Sequence, residues 1–265
     1  MNAMLGAMDE SAQGTQVVAR VGLVLRTVGR FAPDGATTSK IASTAGLARP
    51  TTHRLLTALA HEGMLDRDPQ TLRWFVGPEI YVLGAFASGR HNVTRRAHDC
   101  VQALARATGE SAFLSTRRGD GTLCLLREEG TFPIRSFVLY EGVRFPLGVA
   151  SAGLAILSYL PPDEVDEYLA RTDLEKDWGP SHAEALVRER IKETRAHGYA
   201  VNPALVMEGS WGMGAAVFDP SGQPAWALSI TGIESRFRPD RQAELGALLL
   251  EQAHLLSKQM SSPGE

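Results

Sequence analysis

Between Arg49 and Arg54 the chain reads RPTTHR, and five of these six side chains can donate hydrogen bonds. Arg49, Thr51, Thr52, His53 and Arg54 would crowd the first turns of a helix. Donors placed there suit backbone phosphates and the acceptor-rich base edges of a DNA major groove. Arg67 and Arg73 flank Asp68-Pro69-Gln70, where a tight turn would set them against phosphates. Other chemistries are poorly served. No G-x-S-x-G elbow surrounds a serine, and neither G-x-G-x-x-G nor a P-loop is present, so no nucleotide cofactor is expected. The seven histidines never fall into HxxH or HExxH spacing, and no CxxC occurs, so no metal is expected either. Cys100 and Cys124 are too few for a disulfide framework.

The elements that must carry these donors can be read from apolar spacing. Val17, Val21, Val24, Leu25, Val28 and Phe31 recur every three or four residues, the stripe of an amphipathic helix, until Pro33-Asp34-Gly35 ends it. A short helix around Ile41, Ala42 and Ala45 closes at Gly46, a residue suited to the left-handed turn between two helices. The next helix opens near Pro50, lines up Leu55, Leu56 and Leu59, and stops at Gly63. Two such helices form a helix-turn-helix. LDRDPQTLRWFVG then alternates apolar and polar residues about its turn, the pattern of a hairpin, hence a wing. Charge follows the same division. The whole chain carries −3, yet Thr15 to Gly77 holds eight Lys/Arg against four Asp/Glu, and the stretch from Pro78 onward holds 19 against 24. A basic head on an acidic body fits an anion-binding module joined to a carrier.

At 265 residues the chain suits two domains. We expect a disordered leader over 1–14, a winged helix-turn-helix over 15–77, a linker helix over 78–91, a second domain over 92–260 and a tail over 261–265. In the second domain SAFLSTR, TLCLLREE and IRSFVLY read as strands, PLGVASAGLAILSYL as a loop entering a buried helix, and WGMGAAVFD with PAWALSITG as a hairpin. HAEALVRERIKETRAHGY reads as a long surface helix whose His182 and His197 are solvated. The fold class is therefore α+β, a sheet sandwiched by helices. No apolar run approaches bilayer length and the first residues lack a signal-peptide pattern, so the expectation is a cytoplasmic protein without a membrane partner.

The run TTSKIASTAGLARPTTHRLLTALAHEGMLDRDPQTLRWFVGPEIYVLG resembles the winged helix-turn-helix of the IclR family of transcription regulators. Gly46-Leu47, Pro50, Thr52, Arg54, Leu55, Leu56 and Gly63 match its motif, while Val76-Gly77-Pro78 stands where Leu-Gly-Pro is usual. GVRFPLGVASAGLAIL, HGYAVNPALVMEGSWGMGAAVFD and PAWALSITGIESRF resemble the family's GAF-like effector-binding domain. The resemblance implies an effector held at Ser151, Ala152, Asn202, Gly212, Ser229 and Thr231, with Phe137 and Phe145 as apolar walls. Four departures bear on the ligand: Asn202 replaces a frequent Asp, Gly212 a frequent Cys, Gly148 a usual His, and Gly153-Leu154 a usual Gly-Lys pair. They point to a roomier, less polar pocket than one fitted to a two- or three-carbon acid. The implied function is a DNA-binding transcription regulator, modulated by an organic or aromatic acid and controlling a catabolic operon. Its implied partners are a palindromic double-stranded operator, the effector, and further copies of itself as a homodimer or homotetramer. The alternative is a small-molecule-processing enzyme with an accessory DNA-binding head.

Overall fold

A computed structural model describes residues 2–88 and 93–261, with side chains described over 16–87 and 93–261. The chain divides into two compact units, Met1–His91 and Asn92–Glu265.

The first unit opens with α1 (Asn2–Gly29), so residues expected as a disordered leader are helical from Asn2. Ala, Met, Leu, Glu and Gln recur through that segment and favour helix. α2 (Thr38–Ala45) and α3 (Arg49–His61) follow, then β1 (Leu65–Arg67) and β2 (Trp74–Val76). Val24, Val28, Ile41, Leu56, Leu59, Leu65 and Trp74 form one core, which joins the helix pair to the hairpin. Thr37 caps α2, its Oγ1 accepting from the Lys40 N–H at 3.4 Å. Gly46 ends the helix at φ 64°, where a side chain would be strained. The hairpin is antiparallel with Arg67 opposite Trp74. Its turn is held by Asp68 Oδ1, which accepts from the N–H groups of Gln70 (2.7 Å) and Thr71 (2.8 Å). Those two bonds, Thr71's the larger, hold the carboxyl below its usual range. α4 (Pro78–Ser88) comes next; residues 89–91 of the expected linker and 262–265 of the expected tail lie outside the described residues.

The second unit contains α5 (Val93–Thr108), β3 (Ser111–Arg118), β4 (Gly121–Glu128), β5 (Arg144–Pro146), α6 (Ser151–Ser158), α7 (Pro162–Arg171), α8 (Leu174–Trp178), α9 (Glu184–His197), β6 (Ala200–Pro203), β7 (Ser210–Phe218), β8 (Pro224–Ile233) and α10 (Pro239–Ser261). Six strands make one antiparallel sheet in the order β5-β4-β3-β8-β7-β6. Side-chain alternation gives it two buried faces. Phe113, Ala200 and Ala227 face a core built with α6, α7 and α9. Leu114, Met213, Ala215, Leu228 and Ile230 face α5 and α10. Glu110, with a side chain 1% exposed, ties the start of β3 to the far end of β8: its Oε1 accepts from Arg236 Nε (2.6 Å) and Arg241 Nη1 (3.0 Å).

Two expectations are corrected here. IRSFVLY is not a strand; residues 134–140 form an irregular loop, and the strand is β5 at Arg144–Pro146. Local bonds compete with the sheet ladder in that loop, Ser136 Oγ accepting from the Val138 N–H and Arg135 Nε donating to the Phe132 carbonyl. His182 is not a solvated helix residue. It ends a short 3-10 turn, Pro180–His182, and is fully buried. Its Nδ1 lies 3.1 Å from the Trp178 carbonyl oxygen, and burial pushes its pKa below the ordinary 6.5.

The titration of His182 has a defined sign. As pH falls through about 6.5 the unfolded chain takes up a proton that the folded chain resists, so stability present above that pH is lost below it. Asp120 and Asp219, also lowered, act only at more acid pH, below their ordinary 3.8. The thermal midpoint of the wild type should therefore drop more between pH 8 and pH 5.5 than that of His182→Gln, and parallel curves for the two proteins would contradict the assignment.

Candidate functional site

In the first unit, Pro50 in the first turn of α3 and the apolar face behind it decide which side chains reach solvent. Leu56 and Leu59 are buried, which turns Arg49, His53 and Arg54 outward and leaves Thr51 half-buried. Thr52 shares the face of the leucines. It is completely buried and its Oγ1 donates to the Ala48 carbonyl at 3.1 Å, so it cannot touch a groove edge. Arg67 is exposed on the hairpin with its guanidinium 5.3 Å from the centre of the Trp74 ring. Arg73 is exposed too, yet its Nη1 donates to the carbonyls of Asp34 (3.1 Å) and Gly35 (3.0 Å), which fastens the hairpin root to the loop before α2.

In the second unit a cavity opens where the N-terminus of α6 meets the ends of β6, β7 and β8. It holds about 440 Å³ of empty space, part of it open to solvent. α6 approaches the sheet closely because β7 carries no side chain there. A Cβ built on Gly214 would lie 3.0 Å from Ser151 carbonyl atoms, and one on Gly212 would lie 3.2 Å from Ser151 Oγ. Ala150 precedes α6 without a side-chain cap, so the first N–H groups of the helix, those of Ser151 and Ala152, face the cavity end of the element with no capping side chain. Thr231 lines the cavity and its buried Oγ1 has no hydrogen-bond partner among the described residues.

Phe145, Ser151, Ala152, Asn202, Gly212 and Thr231 come together in this lining. Asn202 reaches it with its amide already engaged: Nδ2 donates to the Val149 carbonyl at 2.6 Å, and Oδ1 accepts from the Leu205 N–H at 3.1 Å. Its first task is to hold two loops at the rim. Two expected contacts do not line the cavity. Phe137 is 71% exposed, on the loop that replaces the expected strand, with the Arg127 guanidinium 5.7 Å from its ring centre. Ser229 shares the face of Thr231 but lies two residues deeper, paired with Gly214 in register and covered by the start of α6.

Several lining residues were not anticipated. Val138 and Leu139 come from the irregular loop, Val206 from the loop after β6, and Trp211 from the start of β7. Ser136 Oγ and Ser210 Oγ, 2.6 Å apart, join the first loop to β7. Only Trp211 left a trace in the sequence, as the neighbour of Gly212; loop residues carry no period that assigns them to a wall. No Asp, Glu, Lys, Arg, His or Cys among the described residues lines the cavity. Among the described residues no cluster of His, Cys, Asp or Glu could hold a metal ion, and no helix is long and apolar enough to cross a membrane.

Comparison with known proteins matches both units. The model for the IclR helix-turn-helix domain covers residues 10–69, and that for the bacterial transcriptional regulator IclR C-terminal domain covers residues 85–258. The HTH-type transcriptional regulator BhcR of Paracoccus denitrificans is 31% identical over 225 residues, 84% of this chain and 80% of that one. An IclR transcriptional regulator from Alicyclobacillus acidocaldarius superposes with a TM-score of 0.73 at 26% identity, covering 92% of this chain and 98% of that one. An IclR homologue from Microbacterium hydrocarbonoxydans, solved in complex with 4-hydroxybenzoate, has the same fold (TM-score 0.71, 21% identity, 92% and 98% covered). A helix-turn-helix with a basic outer face and a sheet-based body with a cavity, each matched by its own family model, lead to one assignment: the chain belongs to the IclR family of bacterial transcriptional regulators.

Proposed function

We propose that this regulator binds a palindromic operator through α3 and the wing, and that an organic carboxylate in the cavity of the second unit modulates that binding. The observation that carries the ligand class is the chemistry of the lining. Its polar groups include the unpartnered Thr231 Oγ1, Ser151 Oγ and the uncapped start of α6, and no carboxylate opposes them. A helix N-terminus with hydroxyl donors favours an anionic oxygen, and the walls of Phe145, Val138, Leu139 and Val206 favour an apolar or aromatic remainder. 4-Hydroxybenzoate has this design and is the natural first probe in a thermal-shift panel of aromatic and aliphatic acids.

The non-enzymatic reading is supported by the family, whose two domain models match the DNA-binding head and the body of the chain. Cys124 is buried in the core with Leu139 and Phe145, and burial pushes its thiol up to about 12, which keeps it protonated and inert. Self-association, as a homodimer or homotetramer, is supported by the exposed Tyr81, Leu83 and Phe86 on α4 and Val18 on α1, an apolar surface that water disfavours. A symmetric dimer would present two recognition helices to two half-sites. A cytoplasmic location and control of a catabolic operon complete the proposal.

Two neighbouring hydroxyls on β8 separate this account from a general loosening of the strand. Thr231→Val should weaken the best carboxylate by about 1.5–3 kcal/mol, roughly 10- to 150-fold, through loss of one hydrogen bond to a charged group. Ser229→Ala removes a buried hydroxyl that has no partner and should leave carboxylate affinity unchanged. Calorimetric titration of both variants checks this; equal weakening by the two would refute the placement of the ligand at the end of β8.

A further inference from the structure

β6 is the outer strand of the sheet in the second unit. Beside it, α9 and the start of α10 leave a groove of about 1250 Å³ of empty space, part of it open to solvent. Val201, Pro203 and Trp211 line the groove from the sheet. Pro203 pairs with Trp211 in register, one step from the Asn202–Gly212 pair, so by alternation these side chains stand on the face opposite to the cavity at the start of α6. Among the described residues the two linings share Trp211 alone. We propose that this groove is a second ligand site, for a small aromatic carboxylate whose two oxygens are held by the Nε and Nη2 edge of Arg190. The proposal does not depend on what the first cavity binds.

Arg190, in the wall formed by α9, is anchored but incomplete. Its Nη1 donates to the Ser181 carbonyl at 2.8 Å, whereas its Nε and Nη2, both buried, have no hydrogen-bond partner among the described residues. Those two N–H groups make the side of a guanidinium that holds a carboxylate through two parallel hydrogen bonds. A buried cation with that edge unmade is costly, and a carboxylate laid against it offsets the cost. One acid borders the groove, Glu193, three residues further along α9. Burial is the larger influence on the guanidinium and lowers its pKa, with the Glu193 charge acting the other way. Thr194 is already engaged, its Oγ1 donating to the Arg190 carbonyl at 2.7 Å. The remaining walls suit a flat apolar body. The rings of His197 and Tyr199 stack, 5.7 Å between centres and 27° between planes. A side chain on Gly246 would strike the Tyr199 ring, so that ring sits flush on α10. Trp211 adds a third ring, and its buried Nε1 is a further donor without a partner among the described residues. Orphaned donors together with aromatic faces are the parts of a site for an aromatic acid.

The test is titration calorimetry of the full chain with benzoate, and with benzamide as its neutral counterpart. It compares the wild type with Arg190→Gln, Arg190→Lys, Ala243→Trp and Thr231→Val. The wild type should show a benzoate component that benzamide lacks and that Thr231→Val keeps. Arg190→Gln should weaken that component about 10- to 150-fold, the loss expected for hydrogen bonds to a charged group. Arg190→Lys keeps the charge without the fork and should recover only part of the affinity. Ala243 is exposed on α10 and borders the groove, so Ala243→Trp should fill it without disturbing the core. The same component should then disappear, which keeps the test decisive even if Arg190→Gln folds poorly. Benzoate binding that Arg190→Gln and Ala243→Trp both leave unchanged overturns the proposal. So does benzamide binding at the groove as tightly as benzoate, or full affinity in Arg190→Lys. A single component weakened by Thr231→Val alone refutes the groove and leaves the carboxylate reading of the first cavity standing. A component lost in the groove variants, with none that Thr231→Val weakens, supports the groove and counts against that reading instead.

Discussion

Arg54→Ala should remove specific operator binding while the protein still folds and still responds to the proposed carboxylate effector. A well-placed arginine–guanine contact discriminates by about 1–3 kcal/mol, so a dimer with two such helices would lose about 2–6 kcal/mol, roughly 30-fold to 10⁴-fold. Arg54 is exposed on α3, outside the core of Val24, Ile41, Leu56 and Trp74, so the thermal midpoint should stay near that of the wild type. Thr52→Val is the informative contrast. Thr52 has its side chain in the core and its hydroxyl on the Ala48 carbonyl, so its replacement should leave the operator sequence preference intact. Binding isotherms on specific and random duplexes check both; an Arg54→Ala protein with wild-type discrimination would remove α3 from the groove.

The second large effect is expected at Gly214. The atoms that a new side chain would meet are backbone atoms at the start of α6, the Ser151 carbonyl and the Ala152 nitrogen at 3.0–3.2 Å. Backbone cannot rotate away, so Gly214→Val must push the helix off the sheet, an overpacking cost of about 1–3 kcal/mol. For a chain of this size that is a fall of about 3–10 °C in thermal midpoint. Because the same helix end forms one wall of the cavity, stabilisation by the carboxylate should vanish as well. Gly212→Ala lies two residues earlier along β7, on the same face. Its neighbour is Ser151 Oγ at 3.2 Å, a side chain that can turn, so stability should hold while carboxylate affinity changes. Melting curves with and without ligand distinguish the two; a Gly214→Val protein with wild-type midpoint and response would contradict the packing described here.

These two glycines also mark what the sequence could reveal. The head was legible because its information is local: Gly46, Pro50 and Gly63 punctuate helices whose apolar period is regular. Thr52 was misplaced although the same period was available, since Thr52, Leu56 and Leu59 are four and three residues apart and share one face. In the second unit, alternation put Ser229 and Thr231 on one face of β8, as observed. It could not tell that α6 covers the first and that the cavity begins at the second, because depth along a strand depends on what packs above it. Residues 134–140 have the β-branched and aromatic content of a strand but join no ladder, and Ser136 and Arg135 bond locally instead. His182 was hidden for a related reason: beside the nearby Trp178, the backbone of Val149, far earlier in the chain, packs against it.

The most direct test of the central claim couples the two units in one measurement. The full chain is titrated onto a duplex from upstream of its own gene, with and without the carboxylate giving the largest thermal shift, for the wild type and for Thr231→Val. Coupling of about 1–3 kcal/mol is typical between linked sites, so saturating carboxylate should change wild-type operator affinity about 5- to 150-fold. Thr231→Val should bind the duplex as the wild type does without ligand, and should need a correspondingly higher carboxylate concentration for the same change. A wild-type affinity for this duplex no greater than for random DNA would contradict the account, and so would a Thr231→Val response that follows the wild-type curve.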